Sequence, residues 1–257
     1  MNIAELMGDI SDCPPKPSVD YFDKAYWKDA SKSGYRGYGP GWHIHWEIGQ
    51  MLAIGLAPWL ESPRPPVNDD DARVLDLTRV LDVGGAFGYH MKWLQEFAPC
   101  IGHVVDASAY AILNLDRALD GRGWHLDAGV DKLPFPDNYF HRVVAIESLE
   151  HIYIKEVPFA IREIARVLDV GGILYSSIAM GERYDPDFID ITHQTMRPEV
   201  WWVRMLERAG LERRPDIEDQ MKAAVVPRLH GKTPTAPDGL LALKMRWNVV
   251  CCSKGGE

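Results

Sequence analysis

The chain has 257 residues, 46% hydrophobic and 25% charged, the balance of a globular protein. That length holds one large domain with a decorated end, and the composition excludes a disordered, collagen-like or coiled-coil chain. Lys and Arg total 28 against 37 Asp and Glu, and the net charge of −9 repels phosphate backbones, so no nucleic-acid partner is expected.

Met1 to Ile10 lack a basic start followed by an apolar stretch, so no secretory signal is expected. Residues 1–60 are rich in aromatics and glycine. The most apolar run, Ile48 to Leu60, contains Gln50 and Pro58 and is too short to span a bilayer. Residues 61–73 (ESPRPPVNDDDAR) read as a Pro and Asp linker. The expected division is an N-terminal aromatic cap and linker over 1–73 and a core over 74–257. Cys13, Cys100, Cys251 and Cys252 form no C-x-x-C pair, which argues against a disulfide scaffold or a zinc ribbon. A reducing cytoplasm is the expected compartment.

From Arg79 onward, apolar runs alternate with helical patterns, which predicts βαβ units and a mostly parallel sheet. Strands are expected at Val80–Val83, Ile101–Val105, Trp124–Leu126, Arg142–Ile146, Ile173–Ile178, Leu211–Arg214 and Trp247–Ser253. Helices are expected over Phe87–Phe97, from a Ser108 cap through Leu119, over Val157–Leu168, and from Pro198 through Ala209 with Gly210 closing. The fold class is therefore α/β: a Rossmann-like, seven-stranded, mostly parallel sheet with helices on both faces and an N-terminal helical, aromatic cap.

The sharpest local feature is Val80-Leu81-Asp82-Val83-Gly84-Gly85-Ala86-Phe87-Gly88. An apolar strand runs into glycines that open a helix. Such a turn lets a ligand approach the backbone, and the helix start offers free N–H groups. Asp106 follows at the end of the next strand, where a carboxylate can accept both hydroxyls of a ribose. The glycine spacing is not G-x-G-x-x-G, and Asp82 is unfavourable beside a pyrophosphate.

The run D-V-G-G-A-F-G resembles the D-x-G-x-x-x-G motif of class I S-adenosylmethionine-dependent methyltransferases. H-V-V-D-A-S (103–108), D-A (127–128), L-P-F-P-D-N-Y-F-H-R-V-V (133–144), E-S-L-E-H-I (147–152) and R-E-I-A-R-V-L-D-V-G-G-I-L (162–174) resemble further segments of that family, in order. The likeness covers about residues 75–215. It implies S-adenosyl-L-methionine as cofactor and S-adenosyl-L-homocysteine as product. It also implies that Gly84, Gly85, Ala86 and Gly88 pass the methionine moiety and that Asp82 holds its amino group. Asp106 with Ala107 would bind the ribose, Asp127 and Ala128 the adenine, and Glu147 and Ser148 would border the sulfonium. Each carboxylate also has a plainer reading, as a loop clamp, a cap or a solvated side chain.

Tyr26, Trp27, Tyr38, Trp42, His43 and Trp46 lie in the aromatic front segment. With Glu150, they are the candidate acceptor-binding residues. Aromatic faces can cover a sulfonium, although the same residues could simply pack a cap. His45 and His151 are the leading candidates for a general base, with His43 and His193 behind them. His43-x-His45 lacks an evident third ligand, so no metal is expected. The expected activity is methyl transfer to an oxygen or nitrogen of a small molecule, with a natural-product or sugar-type acceptor of the antibiotic-tailoring kind first. A nicotinamide-dependent dehydrogenase and a non-catalytic cofactor-binding scaffold remain as alternatives. No membrane partner is expected, and the chain is expected to be a monomer or homodimer.

Overall fold

Strand β1 (Thr78–Val83) is the hub of the molecule. It pairs in parallel with β2 (Cys100–Asp106) on one side and β4 (Phe140–Ile146) on the other. In the computed structural model, residues 6–7, 16–29, 45, 48–49, 52–53, 78–181, 192–220 and 249–256 are described. Beyond these strands lie β3 (Gly123–His125), β5 (Leu168–Ser177), β6 (Leu211–Arg213) and β7 (Val249–Lys254). The sheet has seven strands in the order β3-β2-β1-β4-β5-β7-β6, with β7 antiparallel to both its neighbours. The strand order reverses between β1 and β4, and ligands in open α/β sheets bind at the carboxyl ends beside such a reversal.

Alternation along the strands sorts the core into two faces. Leu81, Val83, Val143 and Ala145 pack with Ile161, Ile164 and Trp202 of α4 (Val157–Val167) and α5 (Glu199–Glu207). Val80, Val104, Val144 and Ile146 pack with Met91 and Leu94 of α2 (Tyr89–Phe97). Every residue of β4 is buried, as a central strand covered on both faces requires. Met91 and Leu94 are fully buried, and each such side chain stabilises by roughly 1.5–3 kcal/mol.

Several boundaries differ from expectation. Helix α2 begins at Tyr89, because Gly88 at φ +73° takes the left-handed cap position. Ser108 does cap a helix, accepting from the Ala111 amide at 3.1 Å, but that helix, α3 (Ala109–Leu113), stops well short of Leu119. It stops because the Asp116 amide donates to the Phe87 carbonyl at 3.0 Å, and residues 117–119 form a separate 3-10 turn. Gly171 and Gly172 lie inside β5 rather than before it. Strand β3 is Gly123–His125, one residue earlier than expected. Arg214 falls outside β6, and of the last expected strand Trp247 and Asn248 lie outside the described residues.

At the N-terminal side, Asp23 accepts from the Tyr26 amide at 3.0 Å and starts α1 (Lys24–Lys28). Tyr26 and Trp27 of that helix are buried against Ala86, Phe87, Tyr89 and Ala111. No helix among the described residues is long and apolar enough to cross a membrane.

Candidate functional site

A cavity opens at the carboxyl ends of β1, β2 and β4. Its floor comes from Val83, Gly84, Ala86, Asp106 and Ala107, and one end from Leu126, Asp127 and Ala128. The opposite wall is Ile146, Glu147, Ser148, His151 and Tyr153. Phe22, Tyr26 and Trp27 close it from above.

The glycine turn is held by its neighbours. The Gly84 and Gly85 amides both donate to the Val105 carbonyl, at 2.8 and 3.3 Å. Gly84 has φ +76°, and a Cβ there would lie 2.5 Å from the Ser148 Cβ. Ser148 Oγ in turn donates to the Val83 carbonyl at 2.7 Å, which docks the β4 exit onto the β1 exit. Ala86 and Glu147 both hold positive φ, +50° and +47°, and both line the cavity. Left-handed backbone at non-glycine residues is strained and gathers at functional sites. Gly88 faces away from the cavity, where a Cβ would meet Leu119 at 2.3 Å.

Three carboxylates surround this turn. Asp82 is fully buried beneath Gly85, whose Cβ would lie 2.7 Å from the Asp82 Cγ. Both Asp82 oxygens lack a hydrogen-bond partner among the described residues. Burial, and then the charge of Asp106, push its carboxyl up to about 8. Asp106 accepts from the Ala86 amide at 2.8 Å and the Ser108 amide at 2.7 Å. Burial pushes it up to about 6 against those two bonds. A carboxylate has about four acceptor sites, so two bonds leave Asp106 capacity for a ligand. Asp127 accepts from the Gly129 amide at 2.9 Å and pairs with Lys16 at 3.0 Å. Lys16 also pairs with Glu156 at 2.7 Å, so the N-terminal segment is strapped across the Asp127 end.

The cap is fastened at Ser108 as well. Trp27 Nε1 donates to Ser108 Oγ at 3.0 Å, and Ser108 Oγ donates to the Phe22 carbonyl. One buried hydroxyl therefore serves the α3 cap and the aromatic segment together.

On the acceptor side, Glu147 is held by the Ser177 hydroxyl, and the Glu150 carboxyl lies beside it. Burial raises Glu147, and burial together with Glu147 raises Glu150 well above the carboxylate range. Glu150 is fully buried behind the wall rather than in it. His151 lines the cavity, and its Nδ1 lies 2.8 Å from Thr192 Oγ1. His193 packs edge-on against His151, with ring centroids 4.7 Å apart. His45 also lines the cavity, and its Nδ1 is 3.1 Å from His90 Nε2. Burial drives His45 down to about 2 and His90 to about 4, so both rings are neutral at physiological pH.

The cavity thus gathers Gly84, Ala86, Asp106, Ala107, Asp127, Ala128, Glu147, Ser148, Tyr26, Trp27, His45 and His151. Asp82, Gly85 and Glu150 stand directly behind it. Tyr38, Trp42, His43 and Trp46 lie outside the described residues. Sequence reasoning missed Lys16, His90 and the fastening role of Ser108. Each contact spans more than 40 positions along the chain, and no local pattern announces it.

Residues 81–176 match the family model described as a methyltransferase domain. The ubiquinone/menaquinone biosynthesis C-methyltransferase UbiE of Pseudomonas paraeruginosa is 32% identical over 121 residues, 42% of this chain and 46% of that protein. The chain thus aligns with less than half the length of this curated relative. Geranyl diphosphate C-methyltransferase of Streptomyces coelicolor, solved with S-adenosyl-L-homocysteine, superposes with a TM-score of 0.52 at 13% identity, over 79% of this chain and 75% of that one. A phosphoethanolamine N-methyltransferase of Haemonchus contortus, also with S-adenosylhomocysteine, gives 0.51 at 15% identity, over 85% of this chain and 58% of that one. At these identities the two structures speak for the fold. The likeness over residues 81–176 is therefore to a methyltransferase domain.

Proposed function

We propose that the chain transfers a methyl group from S-adenosylmethionine to a small-molecule acceptor bound beneath the N-terminal cap. The observation that carries this reading is Asp82: a fully buried carboxylate, without a partner among the described residues, under a turn where glycine leaves the room. A buried carboxylate in that state calls for a cationic donor, and the cofactor's α-ammonium is one, reached directly or through a water.

In this proposal Gly84, Gly85 and Ala86 shape the methionine end, Gly88 acts only behind them as the left-handed start of α2, and Asp106 with Ala107 receives the ribose hydroxyls. Asp127 and Ala128 meet the adenine, with Lys16 moving or sharing its carboxylate. Glu147 and Ser148 border the reacting centre. When bound, the cofactor supplies an electrophilic methyl group on a sulfonium. The chain's own part is to align the acceptor and exclude water, a contribution that can reach roughly 7–11 kcal/mol. Tyr26 and Trp27 exclude water and offer ring faces to a cation. His151 stands where an acceptor hydroxyl sheds its proton. His45, held neutral by burial, serves as a hydrogen-bonding wall rather than a strong base.

The acceptor is an oxygen or nitrogen nucleophile of natural-product or sugar type in the first reading. Carbon is the second, favoured by the C-methyltransferase relative. The N-terminal cap over 1–73, the core over 74–257 and a cytoplasmic setting belong to the same proposal. The buried cysteines Cys100, Cys251 and Cys252, in no disulfide among the described residues, fit a reducing compartment. Calorimetric titration with S-adenosylhomocysteine and with NAD tests it. Micromolar binding of the first and none of the second is expected; NAD binding alone overturns the reading.

A further inference from the structure

We propose that Glu150, His151 and His193 hold a divalent transition-metal ion at the acceptor end of the cavity, and that this ion takes an oxygen donor of the acceptor as a further ligand. The second half rests on the function proposed above; the metal site does not.

One potential ligand atom from each of the three residues lies within 4.8 Å of the others. Zinc with bonds of about 2.0–2.1 Å in tetrahedral geometry spaces its ligands about 3.3 Å apart. Small side-chain rotations therefore close the set. Two imidazoles and one carboxylate suit zinc, iron(II) or cobalt(II) better than magnesium or calcium, which prefer all-oxygen shells. Three protein ligands leave a position open, the arrangement of a catalytic rather than a structural site.

Two further observations point to a cation here. Glu150 is fully buried; its Oε1 accepts from the Ala179 amide at 2.9 Å, but its Oε2 has no donor among the described residues. A carboxylate oxygen in that state is costly unless a cation or a proton serves it. The ligand-bearing segments are also stitched together before any ion arrives. The Gln194 and Thr195 amides donate to the Glu150 carbonyl at 2.8 and 2.9 Å, and Thr195 Oγ1 donates to the Ile152 carbonyl at 2.7 Å. Thr192 Oγ1 sits 2.8 Å from His151 Nδ1 and orients that ring. Metal-binding histidines are held in this way by a partner on the second nitrogen.

His151 is the member that lines the cavity, so the open position is reached from the acceptor side. There the ion acts as a Lewis acid on an acceptor hydroxyl. The hydroxyl proton passes to solvent, the oxygen–carbon bond forms as the sulfur–carbon bond breaks, and a neutral thioether leaves. This selects a phenol, enol or other hydroxyl acceptor over an amine. It also departs from the sequence expectation of no metal, and makes His151 a ligand rather than a free base. The rival account of Glu150 is a proton shared with Glu147, which predicts no metal uptake.

The test uses the full chain, stripped with a chelator and titrated with cobalt(II). Uptake of one equivalent with visible d–d bands is expected. In His193→Ala, affinity should fall by at least about 100-fold, since even outer-shell losses cost about 10–100-fold. Glu150→Gln should behave alike, and His193→Gln serves if either variant misfolds by circular dichroism. No uptake by the wild type, or equal uptake and bands in a folded His193→Ala, overturns the proposal. S-adenosylhomocysteine is titrated in parallel. Cobalt uptake without cofactor binding keeps the metal site and removes the methyltransferase reading; cofactor binding without cobalt does the reverse.

Discussion

The Asp106 carboxylate accepts a hydrogen bond from the Ala86 amide at 2.8 Å, tying the end of β2 to the strained residue of the glycine turn. One side chain thereby both shapes the turn and presents its remaining lone pairs to the cavity. Asp106→Ala should weaken S-adenosylhomocysteine binding roughly ten- to a hundredfold, the worth of about 1.5–3 kcal/mol for bonds to a charged acceptor. Calorimetry on the folded variant checks this. Unchanged affinity would leave Asp106 a clamp and nothing more.

Gly84 and Gly210 offer an internal contrast. Both hold positive φ, +76° and +80°, but a Cβ at Gly84 would collide with Ser148 whereas one at Gly210 meets nothing within 4 Å. Gly210→Ala should cost only the left-handed backbone penalty, about 1–2 kcal/mol. Gly84→Ala should cost more and abolish cofactor binding, because β1 and β4 must part. Equal stabilities in a denaturant titration would refute the close docking of those exits.

Ser108 fastens the cap and α3 at once. Ser108→Ala removes the helix cap, the Trp27 bond and the Phe22 bond. A loss of about 1–3 kcal/mol is expected, with faster amide exchange over residues 19–28. In the wild type, S-adenosylhomocysteine should slow exchange over 16–29, since Lys16, Phe22 and Trp27 border the cavity. Identical exchange with and without ligand would make the segment a static cover.

The two cavity histidines should differ. His151→Ala should reduce turnover on a hydroxyl acceptor by about 10²–10⁴-fold, whether the ring takes the acceptor proton itself or holds the ion that makes the hydroxyl acidic. His45→Ala should cost far less, because its ring, pushed down to about 2, takes up no proton at neutral pH. Turnover assays with cofactor affinity measured alongside check this; the reverse ranking would make His45 the base.

Much of this was legible along the chain. The glycine run after Val83 announced a strand, a tight turn and a helix, because strand burial and close backbone approach leave local signals, while the left-handed Gly88 start was not foreseen. Asp106 and Asp127 were legible for the same reason, sitting at predictable strand ends. The early stop of α3 was not, since a tertiary bond from Asp116 to Phe87 outcompetes helix continuation. Nor was the His45–His90 pair, the Lys16 strap or the approach of His193 to Glu150, which exist only once distant segments meet.

If Asp82 receives the cofactor's ammonium, binding must release a proton. With its carboxyl raised to about 8, Asp82 is about nine-tenths protonated at pH 7 in the free chain. A bound cation lowers that value, so the proton must leave as S-adenosylhomocysteine enters. Calorimetry at pH 7 in buffers of different ionisation enthalpy should show close to one proton released per ligand, and little in Asp82→Asn. Tight binding with no proton exchange in the wild type would place the ammonium away from Asp82.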